Sequence, residues 1–278
     1  MNRLTLKAAF LSAILFAVFI GAWHLATLPT GGAVSAADAE YAKLMGAGAQ
    51  KSDGFPPPAE IGKAFVHYLS DPMYDKGPND KGIAIQLGYS LLRVAIGFAI
   101  AIVIAVPVGF LIGMSPLAMK ALDPFIQVLK PISPLAWMPL ALYTLKDSNV
   151  SGIFVIFICS IWPMLINTAF GVANVRKDWL NVARTLEVRP LRKALTVILP
   201  AAAPTTLTGM RISMGIAWLV IVAAEMLVGG TGVGYFVWNE WNNLALPNVI
   251  FAILVIGVVG MALDRCFAGL QALVSYTE

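Results

Sequence analysis

Asn181-Val-Ala-Arg-Thr-Leu-Glu-Val-Arg-Pro-Leu-Arg-Lys-Ala-Leu-Thr-Val-Ile-Leu-Pro200 is a basic, amphipathic stretch set between long apolar runs. Charge of this density is too costly to place in hydrocarbon, so the stretch belongs in water beside a membrane. Asp178 is placed to cap a short helix from Trp179 to Leu186, and Pro190 suits the first turn of a second, where its missing N–H costs nothing. In that second helix Leu191, Ala194, Leu195 and Ile198 form one apolar stripe, Arg192 and Lys193 face away, and Pro200 ends it. Two short helices therefore offer an apolar face to a partner protein. The composition alone also suits an ordinary basic loop whose charges only hold the membrane orientation.

The membrane follows from the rest of the chain. Of 278 residues, 59% are hydrophobic and 12% charged, and the mean hydropathy is +0.79, values that describe an all-α polytopic membrane protein rather than a soluble core. Although the net charge is +4, the basic residues gather beside apolar spans, so they serve orientation and give no support to a nucleic-acid partner. Cys159 and Cys266 lie in apolar segments without metal-type or paired spacing and read as packing residues.

Outward from the basic stretch, apolar runs predict spans over Ala8–Leu28, Tyr89–Met114, Val150–Val172, Leu207–Val228 and Val249–Leu270. Val34-Ser-Ala36 after the first run has the look of a cleavage site, but the length of that run favours a retained helix. A shorter apolar segment, Pro131–Leu145, contains Pro131, Pro134 and Pro139; its freed carbonyls place it at the centre of the bundle, as a sixth span lining a path. Leu117–Lys130 reads as a short inner connection.

Residues 29–85 are a hydrophilic connection with five Lys against seven Asp or Glu. Within it, Ile61, Ala64, Phe65 and Tyr68 make Glu60–Leu69 a surface-lying amphipathic helix, with His67 on its solvated face. Between Ala173 and Arg211 there are seven Lys or Arg, and between Gly229 and Asn248 none, which puts the basic loop and both termini inside.

Catalytic signatures are absent. Gly229-Gly-Thr-Gly-Val-Gly234 lacks the Lys of a phosphate loop, and no metal-spaced or acid/base cluster is visible, so the chain carries no ATPase site, catalytic residue or metal site of its own. The informative charges are those in or beside spans: Arg93, Lys130, Arg211, Glu225, Asp264 and Arg265. Arg93 and Glu225 both fall near the outer surface, where they either pair with each other or leave Arg93 free to contact a small planar anion. Arg211 and Lys130 read as residues near the inner surface, Asp264 and Arg265 as anchors of the last helix, and Trp137 and Trp218 as candidate cavity walls.

The basic stretch resembles the cytoplasmic coupling loop of ABC-importer permeases, whose pattern is Glu-Ala-Ala, three residues, Gly, nine residues, Ile, one residue, Leu-Pro. Asn181, Val182 and Ala183 stand at Glu-Ala-Ala, Glu187 at Gly, Val197 at Ile, and Leu199 and Pro200 at Leu-Pro. Glu187 departs from a residue that takes a left-handed turn freely, which argues against such a turn here. Ser160–Gly171 and Thr208–Leu227 resemble the nitrate/sulfonate/taurine group, and Pro72–Gly82 with Leu135-Ala-Trp-Met-Pro139 its nitrate, cyanate and bicarbonate branch.

The resemblance implies a type I ABC-importer permease fold in a bacterial inner membrane: an N-terminal helix (1–28), a periplasmic segment (29–85) and a core (86–278) with a coupling loop over 173–206. It further implies import of nitrate, or of nitrite, by alternating access, a second copy of the chain, two ATP-binding subunits that use ATP and Mg, and a periplasmic or lipid-anchored solute-binding protein. Asn181, Val182, Ala183, Arg184, Glu187, Arg189, Leu199 and Pro200 would meet the ATPase; Arg93, Trp137, Arg211, Trp218 and Glu225 are the pathway candidates. Bicarbonate, cyanate or taurine and other sulfonates are alternative cargoes, and an autonomous channel or secondary carrier is the alternative of another class.

Overall fold

A computed structural model describes residues 3–28, 55–77 and 80–274. Expectations for the connection from residue 29 to 54, including Val34-Ser-Ala36, lie outside the described residues. The chain forms two compact units, one of residues 1–71 with 240–251, the other of 72–239 with 252–278.

In the smaller unit, α1 (Arg3–Ala26) is apolar on every side, and its Trp23 indole N–H donates to the Pro56 carbonyl at 3.2 Å. The expected amphipathic helix is α2 (Pro58–Ser70). It buries Ile61, Ala64 and Tyr68, stacks Tyr68 on Phe251 at 5.1 Å, and leaves His67 exposed.

The larger unit begins with a clipped turn: Lys81 donates to Asp75 at 3.1 Å, and with the Gly77 N–H holds its carboxyl below the usual carboxylate range. From there run α3 (Ile83–Met114), α4 (Pro116–Leu129), α5 (Pro134–Leu145), α6 (Ser148–Ala173), α7 (Lys177–Thr185), α8 (Pro190–Lys193), α9 (Leu199–Val228), α10 (Val233–Asn242) and α11 (Leu246–Val274). Side-chain caps start three of them: Ser115, Ser133 and Asp147 accept from the N–H groups of Ala118, Leu135 and Val150.

Close backbone approaches fix the register. Along α3, Gly97 lies against Ile153 and Ile156, Gly109 against Leu165 and Thr168, and Gly113 against Ala169 and Val172. Numbers rise together, so α3 and α6 are parallel. A Cβ at Gly109 would sit 2.7 Å from the Leu165 carbonyl oxygen, so any larger residue there must push the two helices apart. Gly152 meets Ile221 and Gly171 meets Ala202, which makes α9 antiparallel to α6. Thr208–Gln271 and Trp218–Ile256 hydrogen bonds set α11 antiparallel to α9.

Parallel α3 and α6 require the intervening chain to recross the layer. That chain is α4 and α5, bent by 91° at their junction. Among the described residues, five helices are long and apolar enough to cross a membrane, six if the bent pair counts as one span. The expected inner connection Leu117–Lys130 is helical, as α4, and α5 follows it across the bend. The helix α5 does not sit at the centre of this chain: it buries only Met138 and Ala141 against the bundle, and Leu135, Leu140 and Tyr143 are exposed.

The basic stretch departs from expectation at both ends. Asp178 lies inside the first turn of α7 and makes no cap; Arg176 holds the N-cap position. Pro200 does not stop the second helix, because Ala194–Ile198 is a π turn that joins α8 to α9 in one helix from Pro190 to Val228. In that wider turn the Leu199 N–H reaches back to the Ala194 carbonyl, which relieves the crowding a proline ring meets in an α-helix. The fifth span thus begins well before Leu207.

Glu187 adopts the left-handed conformation after all, with φ 49°. The Val188 N–H bonds the Ala183 carbonyl at 3.1 Å and the Glu187 N–H that of Arg184 at 3.0 Å, the paired closure of a Schellman turn. These bonds satisfy carbonyls that α7 would otherwise leave open, and they outweigh the side-chain clash. Glu187→Gly is expected to tighten the turn by about 1 kcal/mol, read as slower hydrogen exchange at the Val188 amide; unchanged exchange would show that the turn is unstrained.

Candidate functional site

Three features bear on function, and the first is a buried polar cluster where α3, α6 and α9 meet the glycine-rich turn. Glu225, 4% exposed, accepts from the Ser90 hydroxyl, from the Gly234 N–H at 3.0 Å and from Arg93 Nη1 at 2.7 Å. The Ser90 hydroxyl in turn accepts from the Val233 N–H, and Gln86 accepts from the Gly232 N–H at 2.6 Å. Gln86, Ser90 and Arg93 share one helical face, a polar stripe in an apolar span that the sequence carries openly. Gly232 and Gly234 are forced: Cβ atoms there would collide with the Glu225 carboxylate and the Val222 carbonyl.

Arg93 is nearly saturated by this cluster. Its Nη1 also donates to the Thr231 carbonyl at 2.6 Å, and both Nε and Nη2 donate to Asn149 Oδ1. Four of its five N–H groups are thus engaged, so Arg93 tethers the turn to three helices. A polar cavity of about 320 Å³ opens beside it, lined by Tyr89, Ser148, Asn149, Thr231 and both charged residues.

The second feature is the face of the basic stretch. Of the expected stripe, Ala194 and Ile198 are buried, and Ile198 packs with Val172, Val175 and Ala202. Leu191 and Leu195 are 73% and 57% exposed, next to exposed Val182 and Leu186. Asn181, Arg184, Glu187, Arg189 and Pro200 are also exposed, Leu199 is at the margin, and Ala183 is buried in the fold. One half of the stripe anchors the stretch and the other half faces out, on a stretch that also carries exposed Arg184, Arg189 and Arg192 and half-buried Lys193.

Third, Arg211 and Asp264 form a two-pronged ion pair, Nε–Oδ1 2.6 Å and Nη2–Oδ2 2.7 Å. Arg211, expected near the inner surface, stands well along the helix from Pro190. Gly209 packs on Pro163 and Met164, which sets Arg211 level with the middle of α6. Trp218, 5% exposed, donates to the Ile256 carbonyl and holds α9 to α11. Trp137 lines a cavity of about 140 Å³ at the α4–α5 bend with Lys130, Cys159, Trp162 and Ile216. Among the described residues no group of His, Cys, Asp or Glu has the arrangement of a metal site.

The chain is similar to known proteins. The model of the family described as "binding-protein-dependent transport system inner membrane component" matches residues 85–275. The nitrate import permease NrtB of Synechocystis sp. is 43% identical over 82% of this chain and 83% of its own length. The bicarbonate transport system permease CmpB of the same organism is 43% identical over 74% of each. Among solved structures, an inward-facing methionine ABC transporter, MetNI, aligns with a TM-score of 0.61 at 13% identity, over 70% of this chain and 96% of the other, a likeness of fold. On the family match and this identity, the chain belongs to the binding-protein-dependent transport system inner membrane components, the multi-pass permease subunits of ABC importers.

Proposed function

We propose that this permease imports nitrate by alternating access, as a pair of identical chains, each docking one ATP-binding subunit on its basic stretch. The carrying observation is the outward half of that stretch: Leu191 and Leu195 exposed on a short basic helix continuous with the span α9. A rigid continuous helix transmits a displacement at Pro190 along α9, so closure of the ATP-binding subunits, which hold ATP and Mg, is carried into the membrane. The π turn under Pro200 is the point at which that lever can bend. Open faces on α5 and α9 support the second copy, and the charge asymmetry supports cytoplasmic termini with the residue 29–85 segment in the periplasm. A periplasmic or lipid-anchored solute-binding protein would deliver the anion near the outer cavity beside Arg93 and Glu225.

Nitrate as cargo rests on relatives named as nitrate import permeases, at 42–44% identity in three organisms. Bicarbonate is the second reading, because permeases named for bicarbonate are 43–44% identical. Both anions are planar and oxygen-edged, the geometry a guanidinium fork recognises.

Reversing charge on the docking stretch tests the transport class. Arg184→Glu with Arg189→Glu is expected to abolish ATP-dependent uptake while the chain still inserts and folds, since both side chains are exposed. Full uptake without ATP by that variant would identify an autonomous channel or carrier instead.

A further inference from the structure

Arg93 and Arg211 differ in what their guanidinium groups have left to offer. Arg93 is enclosed and has a single N–H unengaged. Arg211 spends only Nε and one Nη2 N–H, both on Asp264, and its remaining N–H groups have no partner among the described residues. The side chains of Arg211 and Asp264 are 39% and 51% exposed, at the level of the middle of α6. A half-exposed ion pair at that depth does not face lipid: each charge would cost about 2.5–3.5 kcal/mol there. Water, or a second chain around water, is the environment that fits.

The pairing is also a chemical likeness. Two carboxylate oxygens on one edge of the guanidinium present the same spacing and plane as two oxygens of a trigonal oxyanion. We propose that Arg211 is the contact for the transported oxyanion inside the membrane, and that Asp264 is its internal stand-in, occupying the fork between transport events and displaced by the anion as it passes. Exchange of one carboxylate for one anion keeps the number of hydrogen bonds on Arg211 constant. The anion is thus held without becoming trapped, Arg211 is never left unpaired, and the displaced Asp264 carboxylate turns to the water on its exposed side. This rests on the anion-import reading above, and Asp264 carries the new role in it.

Removing the competitor exposes the mechanism. In the assembled permease–ATPase complex in lipid nanodiscs, without nucleotide or binding protein, equilibrium dialysis would measure labelled nitrate, bicarbonate and taurine. Asp264→Asn leaves Arg211 free in every molecule, and is expected to tighten binding of a planar oxyanion about tenfold or more over the unmodified complex. Arg211→Gln in the same background is expected to abolish the gain, and Arg211→Lys, which keeps the charge but not the fork, to lose most of it. Tightening for bicarbonate but not nitrate would uphold the exchange while discarding nitrate as cargo. Unaltered binding of all three anions by Asp264→Asn would overturn the exchange even where nitrate import by the unmodified complex is intact, and failure of that variant to assemble would make the pair a structural one and overturn it equally.

Discussion

Glu225→Ala is expected to destabilise the chain by about 3–5 kcal/mol, the range for breaking a buried ion pair from one side. Alanine removes the acceptor of the Ser90 hydroxyl, the Gly234 N–H and one Arg93 N–H together, and all three lie where water has little access. The guanidinium then remains among buried groups with its charge uncompensated. The glycine turn, which hangs on this cluster through Thr231, Gly232, Val233 and Gly234, loses its attachment to α3. Glu225→Gln keeps the shape and one acceptor oxygen and is expected to cost less than half as much. Thermal unfolding in detergent measures both; an alanine variant as stable as the unmodified chain would show that the cluster is replaceable.

The second large effect is on coupling. Leu191→Asp with Leu195→Asp places two carboxylates in the centre of the proposed docking face, where each is expected to remove about 2 kcal/mol or more of docking free energy. Together they lower the affinity for the ATP-binding subunit at least a hundredfold, roughly 1.4 kcal/mol being tenfold. Both leucines are exposed in the chain, so folding itself is expected to persist. Co-purification of the ATP-binding subunit with the tagged permease reads the outcome. Undiminished recovery of the partner would place the docking face elsewhere on the chain.

Much of this architecture is legible from residues alone, because the strongest forces shaping it act between neighbours along the chain. Apolar run length sets the spans, lysine and arginine counts set the proposed sides, and the polar stripe Gln86–Ser90–Arg93 marks the side of α3 that pairs with Glu225. What escapes is set by register between helices. The level of Arg211 depends on how α9 packs on α6, and a proline that ordinarily ends a helix is absorbed by a π turn, so the residue stands level with the middle of α6. Its partner Asp264 stands 53 residues on, and only the antiparallel approach of α9 and α11 brings the two together. Glu187 shows the same limit in a turn: its side chain disfavours the left-handed conformation, yet the two Schellman hydrogen bonds decide.

The most direct test of the transport assignment is ATP hydrolysis by this permease reconstituted in lipid with its ATP-binding subunits, with the solute-binding protein added empty or loaded with nitrate, bicarbonate, cyanate or taurine. Nitrate-loaded binding protein is expected to stimulate hydrolysis above every other condition, and the Leu191→Asp, Leu195→Asp variant to show no stimulation. Stimulation by bicarbonate or taurine with none by nitrate would contradict the cargo, and hydrolysis indifferent to every loaded form would contradict coupling through this chain.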